Sequence, residues 1–181
     1  KGIQRKYPIH IKLETGMHRL GFQKKDLIEL LQQIKLMNVE VKSIFSHLSS
    51  ADELAEKKYT FDQIRIFKEN SDIIIQELGY APLRHILNSS GIVNYPEFQF
   101  EMVRIGIGMV GISVDAKIKR QLRNAVSFKT VISQISEIEE GDSVGYSRKF
   151  KAANSTRIAT IPVGYADGIP RMLGNEVGKV G

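Results

Sequence analysis

Val39-Glu40-Val41-Lys42-Ser43-Ile44-Phe45-Ser46-His47 reads as a strand set between two segments of helical period. In the segment before it, residues 24–37, Leu27, Leu30, Leu31 and Ile34 fall on one helical face. In the segment after it, Ile64, Phe67, Ile74 and Leu78 recur at helical spacing. Thr60 with Gln63 is the expected capping box there, and Gly79 the stop. Working outward, residues 8–14 read as an earlier strand and Leu83 to Asn88 as a later one. Met102 to Ile112 reads as a fourth strand, apolar enough for burial on both faces. This β-α-β-α-β rhythm predicts an α/β fold with parallel strands and right-handed crossovers. A doubly wound sheet and part of a (β/α)8 barrel both satisfy it.

The pattern changes near residue 117. From Val126 onward short alternating runs such as Val131-Ile132-Ser133-Gln134-Ile135 are divided by turn signals at Glu140-Gly141-Asp142 and Ala166-Asp167-Gly168. This predicts an antiparallel β domain, with residues 113–125 as the link. The chain starts without Met close to a strand-like run, and ends at Gly178-Lys179-Val180-Gly181, which resembles the middle of a hairpin. Those ends are expected of a piece of a longer protein.

The 181 residues suffice for one domain or one and a fraction, and 42% hydrophobic with 25% charged residues is ordinary for a globular protein. No apolar run reaches the length of a membrane span. The chain has no cysteine, so disulfides and thiolate metal sites are excluded, and a reducing cytoplasm is the expected compartment. The net charge of +6 raises the question of nucleic acid. The densest basic cluster, Lys117, Lys119, Arg120 and Arg123, has no aromatic side chains interleaved for base stacking, so a solvated basic segment is expected and no nucleic-acid partner.

Chemistry-bearing residues gather at or near the strands, mostly toward their C-terminal ends: Lys12 and Glu14, His47, Asn88 and Ser89, and Arg104. Ligands bind at that edge in either parallel architecture, and these groups point to an anionic ligand. Gly106-Ile107-Gly108-Met109-Val110-Gly111 matches the dinucleotide pattern GxGxxG, but it lies inside the expected fourth strand. The acidic residue that should follow about 20 positions on is missing. Close backbone packing, or backbone N–H groups facing a phosphate, is the expected role of these glycines. His10, His18, His47 and His85 form no HxH or HExxH pair, so no metal is expected.

Five segments, in order, resemble the alanine racemase family. Lys12-Leu13-Glu14-Thr15-Gly16-Met17-His18-Arg19-Leu20-Gly21 resembles its K-x-D-T-G-M-x-R-x-G segment, with Glu14 where Asp is usual. Ser46-His47-Leu48 with Ala51-Asp52-Glu53 resembles the next block. His85 to Ser89 resembles H-x-x-N-S. Val103-Arg104-Ile105-Gly106-Ile107 resembles V-R-x-G-I. Gly164-Tyr165-Ala166-Asp167-Gly168-Ile169-Pro170-Arg171 resembles G-Y-A-D-G-x-x-R, the most specific of the five.

The resemblance implies an N-terminal (β/α)8 barrel followed by a β domain, in a homodimer with shared active sites. It places residues 1–115 in the C-terminal half of a barrel that binds pyridoxal 5'-phosphate, and residues 116–181 at the start of the β domain. The implied reaction interconverts L- and D-alanine, supplying D-alanine for peptidoglycan. A broad-specificity or serine racemase, and a non-catalytic pyridoxal-phosphate-binding barrel protein, are the alternatives. Roles carry over by position. Ser89, Gly106 and Ile107 resemble the phosphate cradle, with Asn88 beside it. Arg104 resembles the arginine facing the pyridine nitrogen, and His47 the residue packed against the cofactor ring and linked to Arg104. Arg19 resembles the arginine near the substrate carboxylate. Lys12 resembles a lysine carbamylated in many members, which supports Arg19. Tyr165 resembles one of two catalytic bases. The family's cofactor-linked lysine lies on the first barrel strand, outside this chain, so the chain by itself is expected to be inactive.

Overall fold

The computed structural model describes residues 6–113, 115–174 and 178. The chain divides into two compact units, residues 1–126 and 127–181.

In the first unit, β1 (Tyr7–Lys12), β2 (Val39–Phe45) and β3 (Leu83–His85) form a parallel sheet in the order β1-β2-β3. The crossovers are α1 (Leu27–Leu36) and α2 (Lys57–Leu78). The apolar stripes expected of these helices close the core. Leu27, Leu31 and Ile34 of α1, and Ile64, Phe67 and Ile74 of α2, are buried with Ile11, Val41 and Ile44 of the sheet. Gly79 ends α2 in the left-handed conformation at φ 72°, as expected of a helix stop. Alternation along the strands leaves the opposite sheet face to His10, Lys12, Ser43, Phe45 and His85.

Two expectations are corrected. Thr60 does not cap α2, which begins three residues earlier at Lys57, after a single 3₁₀ turn, Leu54–Glu56. Glu53 accepts from the Ala55 N–H at the start of that turn. Thr60 is instead fully buried, and its hydroxyl donates to the Ser50 carbonyl at 3.5 Å. Gln63 is tertiary glue: Oε1 accepts from the backbone N–H and the hydroxyl of Ser49 (3.0 and 3.1 Å), and Nε2 donates to the His47 carbonyl (3.3 Å). A capping box and a buried tertiary clamp share the same residue types, so local pattern does not separate them.

The second correction concerns Met102 to Ile112, which is not a strand buried on both faces. Residues 102–104 do run beside β3, with Met102 N–H donating to Arg84 O (3.3 Å) and Arg104 N–H to Leu87 O (3.1 Å). The chain then turns through a 3₁₀ segment, Ile107–Val110, and Ile105, Ile107 and Met109 are 57–73% exposed. Gly111 closes the turn at φ 84°, where a Cβ would lie 2.2 Å from the Arg123 carbonyl oxygen. The GxGxxG glycines therefore serve close packing and a turn.

In the second unit, β4 (Gln134–Ile138) pairs antiparallel with β7 (Thr156–Thr160), and β5 (Ser143–Val144) with β6 (Phe150–Lys151). Both expected turns form, with Gly141 at φ 88° and Gly168 at φ 94°. Lys179, Val180 and Gly181 of the expected terminal hairpin lie outside the described residues.

Gln63 supplies a first test. Gln63→Leu fills the same space but leaves the Ser49 N–H and the His47 carbonyl without this partner. It should cost about 1–3 kcal/mol of stability in the full-length protein. A lower urea midpoint at unchanged slope is the expected result.

Candidate cofactor site

The C-terminal ends of the strands carry the site. β2 runs into Ser46 and His47, β3 into Ile86, Leu87 and Asn88, and the adjoining segment brings in Arg104. Arg104 is half-buried, and its guanidinium is held by neutral acceptors. Nη2 donates to the carbonyls of Ser46 (2.7 Å) and Ile86 (3.4 Å), and Nη1 to that of His85 (3.1 Å). Nη1 also meets His85 Nδ1, and Nη2 lies 3.2 Å from His47 Nδ1. The group stands over the Phe45 ring at 5.6 Å. No carboxylate pairs with Arg104 among the described residues, nor with Lys12 or Arg19.

The three cations act on the same imidazole. Burial lowers the His47 pKa, and Arg104, Arg19 and Lys12 lower it further by repelling its protonated form. His85, beneath Arg104, is pushed down to about 4 by burial, by Arg104 and by His10. Both rings are therefore neutral near pH 7 and free to accept from the guanidinium. Burial also lowers the Arg104 pKa from its usual high value.

Arg19 sits on a loop that folds back over the end of β1. Glu14 N–H donates to Phe22 O and Phe22 N–H to Lys12 O, both at 2.9 Å. Gly21 permits the return at φ 128°, since a Cβ would lie 2.6 Å from Glu14 N. The Glu14 carboxylate accepts from the backbone N–H groups of Gly16 and Arg19. Burial raises its pKa, but the N–H groups of His18, Gly16 and Arg19 outweigh that and hold it below the ordinary value. The longer carboxylate thus organises the loop that carries Arg19.

Ser89, Asn88, Gly106 and Ile107 line a cleft of about 380 Å³ with His47 and Arg104. Asn88 caps α3 (Ser89–Asn94): its Oδ1 accepts from the Gly91 N–H at 2.9 Å. Ser89 Oγ accepts from the N–H groups of Gly106 (2.9 Å) and Gly108 (3.2 Å). A hydroxyl and backbone N–H groups thus converge on one wall, with a cation on the other. An apolar cleft of about 170 Å³ beyond Ser89, lined by Ile92, Val93, Ile105 and Leu122 among others, has no charged side chain in its lining.

Tyr165 belongs to the second unit. It opens a 3₁₀ turn, Tyr165–Asp167, tied by Asp167 Oδ2 accepting from the Gly164 N–H. Its ring is 67% exposed and carries the Arg171 guanidinium 4.8 Å above it. His85, given no role by sequence reasoning beyond its place in a motif, contacts Arg104 directly. Neither its type nor its spacing reveals that; only the packing of residues 102–104 against the end of β3 does.

A mixed α/β unit with Arg104 lining a cleft beside Ser89 and the backbone of Gly106 and Ile107, followed by antiparallel β pairs, defines the class. Residues 1–114 match the family model for the alanine racemase N-terminal domain, and residues 125–181 that for the alanine racemase C-terminal domain. The chain belongs to the alanine racemase family. It is 39% identical to the alanine racemase of Clostridium tetani over 95% of its own length and 46% of that relative. Against alanine racemase 1 of Clostridium acetobutylicum the figures are 39%, 93% and 45%. The structure resembles that of the Clostridium difficile 630 alanine racemase with a TM-score of 0.78 at 32% identity, covering 93% of this chain and 45% of that one. It also resembles the Bacillus anthracis alanine racemase crystallised with bound L-Ala-P, with a TM-score of 0.75 at 28% identity, covering 90% and 44%. The chain spans about half the length of the relatives it matches.

The neutral imidazoles predict an acid response. A histidine in the unfolded chain titrates near 6.5, whereas folded His85 resists protonation down to about 4. Between those values the unfolded state binds more protons, so stability falls as pH falls through that window. His47 contributes with the same sign. Denaturation midpoints of the full-length protein should drop from pH 6.5 toward 4, and less steeply in His85→Gln. Parallel slopes in both proteins would contradict the buried neutral imidazole.

Proposed function

We propose that the protein containing this chain is a pyridoxal-phosphate-dependent racemase that interconverts L- and D-alanine. The observation that carries this reading is a set of cations with no carboxylate partner among the described residues, Arg104, Arg19 and Lys12, all acting on His47, which with Arg104 lines a cleft beside Ser89 and the backbone of Gly106 and Ile107. Residues 1–115 are read as the C-terminal half of the barrel and residues 116–181 as the start of the β domain; the change of family model between residues 114 and 125 supports a division there. A supply of D-alanine for peptidoglycan, made in the cytoplasm, is the role that follows. The L-Ala-P bound by the Bacillus anthracis relative accords with an alanine-shaped ligand.

The donor set fits the cofactor. Ser89, Asn88 and the backbone of Gly106 and Ile107 would hold its phosphate, Arg104 would face its ring nitrogen, and His47 would flank its ring. When bound, pyridoxal phosphate supplies an electron sink that acidifies the alanine Cα–H. Arg104 would then keep the ring nitrogen unprotonated and limit how strong the sink becomes. Arg19 binds the alanine carboxylate region, and Lys12, as the carbamate, would orient Arg19. Racemisation needs proton exchange on both faces of Cα. The Tyr165 hydroxyl serves one face, and a lysine outside this chain the other.

Purified full-length protein loaded with pyridoxal phosphate should abolish the circular dichroism of L-alanine and of D-alanine alike. Serine and lysine tested in parallel measure the breadth of substrate. Arg104→Gln should slow alanine racemisation about 10²–10³-fold, the loss expected for one preorganised electrostatic group. Unchanged turnover would remove Arg104 from the site.

Tyr165 is read as serving the partner subunit's site in a homodimer. Tyr165→Phe keeps the ring and should lose about 10²–10⁴-fold in turnover while retaining cofactor. Mixing the Arg104→Gln and Tyr165→Phe proteins and allowing subunits to exchange should restore activity, since one site of each heterodimer then has both groups. Heterodimers that form and stay inactive would show that Tyr165 acts in its own chain's site or not in catalysis.

A further inference from the structure

β1 and β2 do not pair in unbroken register. Ile9 lies opposite Val41, but His10 lies opposite Ser43, so Lys42 is the extra residue of a bulge. Lys42 points to solvent, where it pairs with Glu40 at 2.6 Å. Without the bulge His10 would face Lys42, and Ser43 would turn toward the helices. The shift instead puts Ser43 on the sheet face shared with His10 and His85. Its hydroxyl, in a residue only 1% exposed, lies 2.6 Å from His10 Nδ1 and 3.1 Å from His85 Nε2. The other nitrogen of His85, Nδ1, meets Arg104 Nη1.

The proton positions follow from the Arg104 end. A guanidinium can only donate, so His85 Nδ1 must accept, and the single proton of the neutral ring is on Nε2. Nε2–H then donates to Ser43 Oγ. The hydroxyl proton of Ser43 is then free to donate to His10 Nδ1, 2.6 Å away, with the His10 ring accepting there. His10 matters because it takes the Ser43 proton. Were that proton turned toward His85 Nε2, His85 would have to carry its own on Nδ1, opposed to the Arg104 N–H.

We propose that Ser43 and His10 are positioning residues for Arg104, holding His85 in the Nε2–H tautomer so that its Nδ1 lone pair anchors the guanidinium at the cleft. The proposal rests on the reading of Arg104 as the cation that faces the cofactor. Phe45, stacked on His85 at 5.1 Å with an interplanar angle of 10°, holds the plane of the ring but has no part in its protonation.

The test uses full-length, cofactor-loaded protein labelled with ¹⁵N-histidine, in which long-range ¹H–¹⁵N spectra report the tautomer of His85. Wild type should show Nε2–H alone. Ser43→Ala and His10→Phe should each bring in the Nδ1–H form. Each should lower kcat for alanine by roughly threefold to tenfold, the factor of one net hydrogen bond, with KM little changed. Ser43→Thr keeps the hydroxyl and should keep both tautomer and rate. His10→Phe carries the test if Ser43→Ala fails to fold. An Nδ1–H tautomer in wild type, or an unchanged tautomer in both variants, overturns the proposal whatever the activity. If the tautomer responds as expected while Arg104→Gln leaves racemisation unchanged, the hydrogen-bonded chain stands and the reading of Arg104 falls.

Discussion

A guanidinium with no carboxylate partner among the described residues organises the site. Arg104 is drawn half out of water, which is costly for a charge, and the cost is offset by carbonyl oxygens from Ser46, His85 and Ile86. Those carbonyls lie at the ends of β2 and β3, so the hydrogen bonds also tie the two strand ends to the segment that follows α3. Carbonyls and neutral imidazoles satisfy the donors without neutralising the charge. A carboxylate in the same place would have made an ordinary salt bridge and cancelled the field at the cleft.

Burial first, and then the same field, lowers the two histidines. His47 and His85 are lowered by burial and by Arg104, and each offers a lone pair to the cation that lowers it. Mutual dependence of this kind is stable only if the rings cannot gain a proton or swap tautomers. Burial opposes the first change, and for His85 the Ser43 hydroxyl is the group proposed to oppose the second. Farther out, Gln63 on α2 holds the His47 carbonyl and Ser49 from the helix side. The loop that carries His47 is therefore anchored both by the site and by the core helix.

Part of this was legible in one dimension. The stripes Leu27, Leu31, Ile34 and Ile64, Phe67, Ile74 are buried as their spacing requires, because a helix of 3.6 residues per turn must turn such residues to one side. Lys12, His47, Asn88, Ser89 and Arg104 could be placed near strand ends, because parallel strands deliver their C-terminal ends to a common edge. Met102 to Ile112 misled because apolar content indicates burial in a strand but cannot show where a strand stops. Gly106, with φ −108° and ψ −110°, breaks the extended path, and the glycines that mimicked a nucleotide motif form a turn instead. Thr60 and Gln63 misled for a related reason: their side chains bond to the chain after β2 rather than to their own helix.

The sequence by itself determined the order β1-α1-β2-α2-β3 in the first unit, the switch to antiparallel pairing in the second, and the family to which the chain belongs. Local periodicity and motif order carry that information without any knowledge of contacts. Only the tertiary structure decided which side chains touch. A bulge at Lys42 moves Ser43 across the sheet, and nothing in the run Val41-Lys42-Ser43 announces it, because register between strands is set by the packing of both faces at once. The bond between His85 and Arg104 likewise spans 19 residues and depends on how the end of β3 lies against the segment after α3. Chemistry at this site is a matter of distances of about 3 Å between residues far apart in the chain, and folding sets those distances.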